Sequence, residues 1–222
     1  MEARMIVSLK RNDKLNHYIS TLKFSLHCIT HPLDGFWDLT HEKRGSIAAA
    51  NTILALTLLV RILKLQYTSF IFMAVNWERI NIFLYLASVL FPFILWCVGN
   101  WALTTLFDGK GNLKQVYMAS CYALTPYPLV QVFLIFLSNM MTVDEAEIYL
   151  VLSDLSLLWA GVLFISAMMQ IHEYKISKTI FFTICTLFAM LVMIFILLLF
   201  FSMISQGVAY FVSLFREIMF RI

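Results

Sequence analysis

Apolar residues along this chain gather into five long runs, separated by short polar or charged stretches. About 20 apolar residues, each rising about 1.5 Å along a helix, cross a hydrocarbon core of about 30 Å. Five segments meet that test: about Ser46 to Leu65, Asn81 to Phe107, Val116 to Asn139, Ile148 to Ile171 and Thr179 to Ser205. The pattern predicts an all-α polytopic membrane protein with five transmembrane helices. The last run has no charged residue from Thr179 to Ser205. At about 40 Å of helix it exceeds the hydrocarbon thickness, so it must tilt or project.

Before the first run the spacing changes. In "KLNHYISTLKFSLHCIT", Leu15, Tyr18, Leu22, Leu26 and Ile29 recur at steps of three and four, while Lys14, His17 and Lys23 fall elsewhere. That periodicity predicts an amphipathic helix, lying on the membrane surface or packed under the bundle. Pro32 cannot continue it but suits the first turn of a second, short helix capped by Thr30 or His31, with Phe36, Trp37 and Leu39 as interfacial anchors. The chain therefore divides into an N-terminal interfacial segment (1–45), a five-span membrane domain (46–210) and a short tail (211–222).

Composition agrees: 61% of residues are hydrophobic and 13% charged, with 20 Phe and 12 Met, and the mean hydropathy is +0.84. Soluble domains hold about 45–50% apolar and about 25% charged residues. The first residues offer only Met5 to Leu9 as an apolar core, too short for a cleaved signal, so the N-terminus is expected to be retained.

Charge sets the expected orientation. With the N-terminus in the cytoplasm, Arg4, Lys10, Arg11, Lys14, Lys23, Lys43, Arg44, Lys110, Lys114, Lys175 and Lys178 are inside, and Arg61, Lys64, Arg79, Arg216 and Arg221 are outside. That asymmetry predicts N-in, C-out. The loop "MTVDEAE", with three acids and no base, suits the outer face. Arg61 and Lys64, three residues apart near the outer end of the first span, are expected to snorkel to the interface.

Candidate chemistry is sparse. Cys28, Cys97, Cys121 and Cys185 lack CxxC spacing and read as reduced packing residues. His27 and His31 share a helix face, but no further ligands follow at metal-site spacing. The Gly109–Lys110–Gly111 stretch lacks the pattern of a phosphate loop and reads as a tight turn in which glycines permit positive φ. Pro126 and Pro128 should kink or break the third span, in a place buried by protein or lining a wet cavity. Thr142 and Glu145 form a capping box. Asp154 and His172, 18 positions apart, fall at opposite rims of the fourth span. Asn51, Asn100, Gln131 and Gln206 are expected to hold helices together. No nucleophile with a base, paired carboxylates or zincin pattern appears, so an enzyme is not expected, and no cofactor, metal or nucleic-acid partner is assigned.

The order His31-Pro32 with Phe36, Gly109-Lys-Gly111 then Tyr117, "YALTPYPL" from Tyr122 to Leu129, Leu137-Ser-Asn139 with Thr142 and Glu145, Trp159, and His172-Glu-Tyr174 with Lys178-Thr179 resembles the Yip domain family. The resemblance spans about Thr30 to Ser205 and rests on order and spacing together. It implies five spans with a cytoplasmic N-terminus, and family-motif roles for His31, Pro32, Phe36, Gly109, Gly111, Tyr122, Pro126, Tyr127, Pro128, Glu145, Trp159, His172 and Tyr174. Eukaryotic relatives are Golgi and endoplasmic reticulum proteins that bind Rab-type GTPases through a long cytosolic N-terminal region. Here only about 45 residues precede the first span, so a Rab partner is not carried over. The short form resembles the prokaryotic branch, associated with membrane transporters.

The expected protein is therefore a non-enzymatic multi-pass protein of a bacterial plasma membrane, an accessory or assembly subunit of a transport complex. Its contacts are the bilayer and a membrane-protein partner or further copies of itself. Lys14, Lys23, Lys110, Lys114, Lys175 and Lys178 are the candidate partner contacts. Alternatives are a carrier of a small solute or lipid using the kinked third span, and a bilayer-shaping protein acting through the amphipathic helix.

Overall fold

The hydroxyl of Ser46 accepts the Ala49 amide and starts the first crossing. Asn81 does the same for the second, accepting from Phe83 and Leu84. Asn112 and Gln115 exchange side-chain bonds at the start of the third, and Thr142 and Glu145 do so before the fourth. Each cap satisfies amides that a helix start leaves orphaned.

The computed structural model describes residues 2–73, 78 and 80–221, with side chains for 15–73, 78 and 80–220. It is all-helical among them: α1 (Glu2–Thr30), α2 (Pro32–His41), α3 (Ile47–Tyr67), α4 (Ile82–Leu106), α5 (Leu113–Ala123), α6 (Pro126–Ser138), a 3-10 turn (Val143–Glu145), α7 (Ala146–His172) and α8 (Ile176–Arg221). α5 and α6 together form the third crossing, giving five stretches long and apolar enough to span a membrane. We call the end of the bundle that carries α1 and α2 proximal and the other distal.

Small residues line the helix contacts. Ala49, Ala50, Ala119, Ala123 and Ala167 are buried in one cluster with Trp96, Tyr122 and Leu163. In lipid, association gains little from apolar burial, so close approach over small side chains supplies the packing.

The third crossing breaks at Leu124 and Thr125, before Pro126 opens α6. The Leu124, Thr125 and Tyr127 amides reach back three residues, to the Cys121, Tyr122 and Leu124 carbonyls. The Thr125 hydroxyl donates to the Tyr122 carbonyl at 2.7 Å. Thr125, Pro126 and Pro128 are buried, so the freed backbone is covered by protein, as the prolines require.

Three expectations change. The fifth helix does not end near Ser205 but continues unbroken to Arg221, about 69 Å in all. After Ser205 there is no proline and one glycine, and Gln206 donates to Ser202 on the same helix instead of joining two helices. Phe36 and Leu39 are not interfacial anchors, because both are fully buried. Of the three only Trp37 is exposed, stacked on His41. Finally, α1 meets the bundle through Thr21, Ser25 and Cys28, with Tyr18, Phe24 and Ile29 packed partly against the core, and leaves Leu15, Ile19, Leu22 and Leu26 exposed. The small residues Thr21, Ser25 and Cys28 let α1 approach closely, so Leu15, Leu22 and Leu26 of the predicted stripe point away from the bundle while Tyr18 and Ile29 turn toward it.

Candidate functional site

At the proximal end, motif residues from distant parts of the chain lock together. Tyr122 on α5 is fully buried and donates its hydroxyl to the Thr21 carbonyl of α1 at 3.0 Å. The same oxygen accepts from the Ser46 amide at 3.4 Å, and the Thr21 and Ser46 hydroxyls lie 3.2 Å apart. One phenol thus joins α1, the start of α3 and the third crossing.

His172, at the end of α7, is the second lock. Its Nδ1 accepts from the Gly111 amide at 3.3 Å, so the proton sits on Nε2, which donates to Asn100 Oδ1 at 3.0 Å. Asn100 in turn donates to the Thr186 hydroxyl on α8 at 3.3 Å. Asn100 does hold helices together, as does Asn51, which accepts from Tyr117 at 2.6 Å.

The Gly109–Gly111 turn is not built on positive φ: no glycine has it, and Asp108 (φ 58°) makes the turn. The glycines serve close approach. A Cβ on Gly111 would lie 2.2 Å from Ile171 Cγ2 and 2.8 Å from His172 Cε1. One on Gly109 would lie 2.8 Å from the Thr104 carbonyl oxygen and 2.9 Å from His172 Nδ1.

Glu173 ends α7 in the left-handed conformation (φ 53°) and pairs with Lys110 and, at 3.5 Å, with His41. The hydrogen bond and charge of Lys110, helped by His41, hold its carboxyl below the usual range. Tyr174 donates to the Phe107 carbonyl at 2.8 Å, and Lys178 stands 4.0 Å over its ring. Burial pushes the Cys28 thiol up to about 12, which keeps it protonated and inert.

The remaining motif residues are dispersed. His31 is exposed at the start of α2 without a side-chain cap bond, and Pro32 takes the first position. Phe36 packs beneath in the core. Glu145 stays with Thr142 at the distal end. Trp159 is half exposed in an apolar groove with Ile29, Pro126 and Leu129. Lys23, Lys110, Lys114, Lys175 and Lys178 are exposed. The Lys14 side chain lies outside the described residues, as do those of Arg4, Lys10, Arg11, Arg79 and Arg221. Among the described residues no group of three His, Cys, Asp or Glu side chains is placed to hold a metal.

Sequence reasoning missed a polar cluster in the distal half. Arg61 does not simply snorkel; it is half-buried, donates from Nη1 to the Tyr127 hydroxyl at 3.4 Å and lies 4.9 Å from the Tyr85 ring centroid. Lys64 donates to Ser153 at 3.4 Å, and Gln131 donates to Ser153 at 2.9 Å and Ser156 at 3.3 Å. Asp154, eight residues past the start of α7 and so about 12 Å along it, lines the same cavity. Arg61, Lys64 and Asp154 within apolar runs were the available signal; their convergence depends on how α3, α6 and α7 pack.

Five membrane-length apolar helices, with polar caps and internally satisfied breaks, make this a multi-pass α-helical membrane protein. Residues 26–214 match the Yip1 domain model, and the chain belongs to the Yip1 domain family. No curated protein and no solved structure matches it.

Proposed function

We propose that the protein is non-enzymatic and acts through partners, as an accessory or assembly subunit of a membrane transport complex, with α1 and α2 in the cytoplasm. One observation carries this reading: at the proximal end Tyr122, His172 and Tyr174 spend their polar atoms on holding elements together. What that end offers to other molecules is a fixed surface bearing Lys23, Lys110, Lys114 and Lys175, beside the exposed Leu15–Leu26 stripe. The basic residues suit a cytoplasmic face, and the proposed location is a bacterial plasma membrane. Replacing Lys23, Lys114 and Lys175 by Glu, with Lys110 kept because it pairs with Glu173, is expected to abolish co-purification of the partner while leaving thermal unfolding unchanged. Undiminished co-purification contradicts the reading.

A second reading, transport of a small solute by this chain itself, is favoured by the polar cavity at the kink, which Leu124 and Tyr127 line. Replacing Pro126 and Pro128 by Ala separates the two. Loss of flux in a folded, reconstituted variant supports transport, and a change in thermal stability alone supports a packing kink.

A further inference from the structure

The distal cavity, about 270 Å³, is walled by Val89, Leu124 and Leu157 and carries Arg61, Lys64, Tyr127 and Ser153 at its polar side. Its volume lies at the small end for ligand sites, which run to about 300–1,000 Å³ for drug-sized molecules. Its polar equipment is suited to an anion: a guanidinium, an ammonium and hydroxyls that donate.

The two cations are incompletely served by the protein. The Arg61 Nε is buried without a hydrogen-bond partner. Its Nη1 and the Lys64 Nζ each make one side-chain hydrogen bond, both long at 3.4 Å and both to neutral hydroxyls. No ion pair among the described residues includes Arg61, Lys64 or Asp154. Asp154 lines the cavity but is exposed, so it offsets one charge of two without pairing directly. Arg61 stands six residues, about 9 Å, before the end of α3, where an uncompensated cation is costly and marks a site for a counter-charge.

We propose that this cavity binds a phosphate oxyanion, gripped by the Arg61 guanidinium and the Lys64 ammonium with the Tyr127 hydroxyl as a neutral donor. Net charge at the site is then balanced by one negative charge on the ligand. The phosphate is either inorganic or the headgroup of an anionic lipid, whose chains would leave between the helices. The site stands whether or not the proximal face binds a partner.

Thermal unfolding of the full chain in lipid-free detergent, titrated with inorganic phosphate against a chloride control, tests the soluble source. Retention of phosphatidylglycerol over phosphatidylcholine in native mass spectrometry tests the lipid source. The expected result is stabilisation or retention in at least one arm. Arg61→Gln should weaken it about tenfold or more, the scale of a lost charge-assisted bond. Asp154→Asn should strengthen it by removing a competing negative charge. Should Arg61→Gln fail to fold, Arg61→Lys keeps the charge and must still weaken phosphate binding at unchanged unliganded stability. No response in either arm overturns the proposal. So does a loss in Asp154→Asn equal to that in Arg61→Gln, since Asp154 is then the internal counter-ion.

Discussion

Gly111 faces His172 and Ile171 so closely that a single methyl group has nowhere to go. Gly111→Ala is expected to destabilise the fold by about 1–3 kcal/mol, the usual cost of overpacking. Gly161 has nothing within 4 Å of its missing Cβ, and Gly161→Ala should be neutral or slightly stabilising in the middle of α7. Thermal unfolding in detergent, run side by side, measures the contrast. Tyr122→Phe leaves the Thr21 carbonyl and Ser46 amide short of a partner and should cost about 1–3 kcal/mol. Glu173 carries a pH dependence. Its folded carboxyl is held below its ordinary value of 4.5, so its ties to Lys110 and His41 contribute above that value and fade as pH falls through the lowered one. Hydrogen exchange across 108–112 should lose protection on acidification in the wild type. Glu173→Gln should be less protected at neutral pH and lack the acid step. The glycines were visible in the sequence as a turn. Their partner was not, because Gly111 and His172 are 61 positions apart and only the packing of α5 on α7 brings them together.

Among the elements, the five crossings were legible because lipid imposes a length and a composition that a linear pattern records directly. The cap pair Thr142 and Glu145 was legible for the same reason, being local, whereas the caps Ser46, Asn81 and Asn112 were not singled out. The face α1 presents to the bundle was not. Periodicity identifies an apolar stripe but not which of its residues meet protein, and here Thr21, Ser25 and Cys28 lead the inner contact with Tyr18 and Ile29 at its edges, while Leu15, Leu22 and Leu26 stay exposed. The extent of α8 was missed because a drop in hydropathy after Ser205 ends a span, not a helix. From Gln206 to Phe220 its residues are exposed apart from a half-covered Gly207. Truncation after Ser205 should therefore leave the unfolding temperature of the bundle in detergent unchanged, and a large drop would show a contact that this packing lacks. At the break in the third crossing, Thr125→Val removes the hydroxyl serving the Tyr122 carbonyl and should cost about 1–2 kcal/mol in the same assay.

At the scale of the molecule, the polar residues divide between the two ends. The proximal end uses Tyr122, His172 and Glu173 to fasten α1, α2 and the Gly109–Gly111 turn to the crossings. Toward the distal half, Arg61 and Lys64 form no salt bridge, and Asp154 across the cavity is the nearby carboxylate. The basic character of the proximal surface was readable. The distal cavity was not, since Arg61, Tyr127 and Ser153 come from three crossings. The central claim is that the proximal end is a surface for another protein. Lysine crosslinking in native membranes at natural expression, followed by mild solubilisation and mass spectrometry, tests it most directly. The account predicts a stoichiometric partner linked through Lys14, Lys23, Lys110, Lys114 or Lys175. Recovery of the protein alone, or joined only to its own copies, would contradict it.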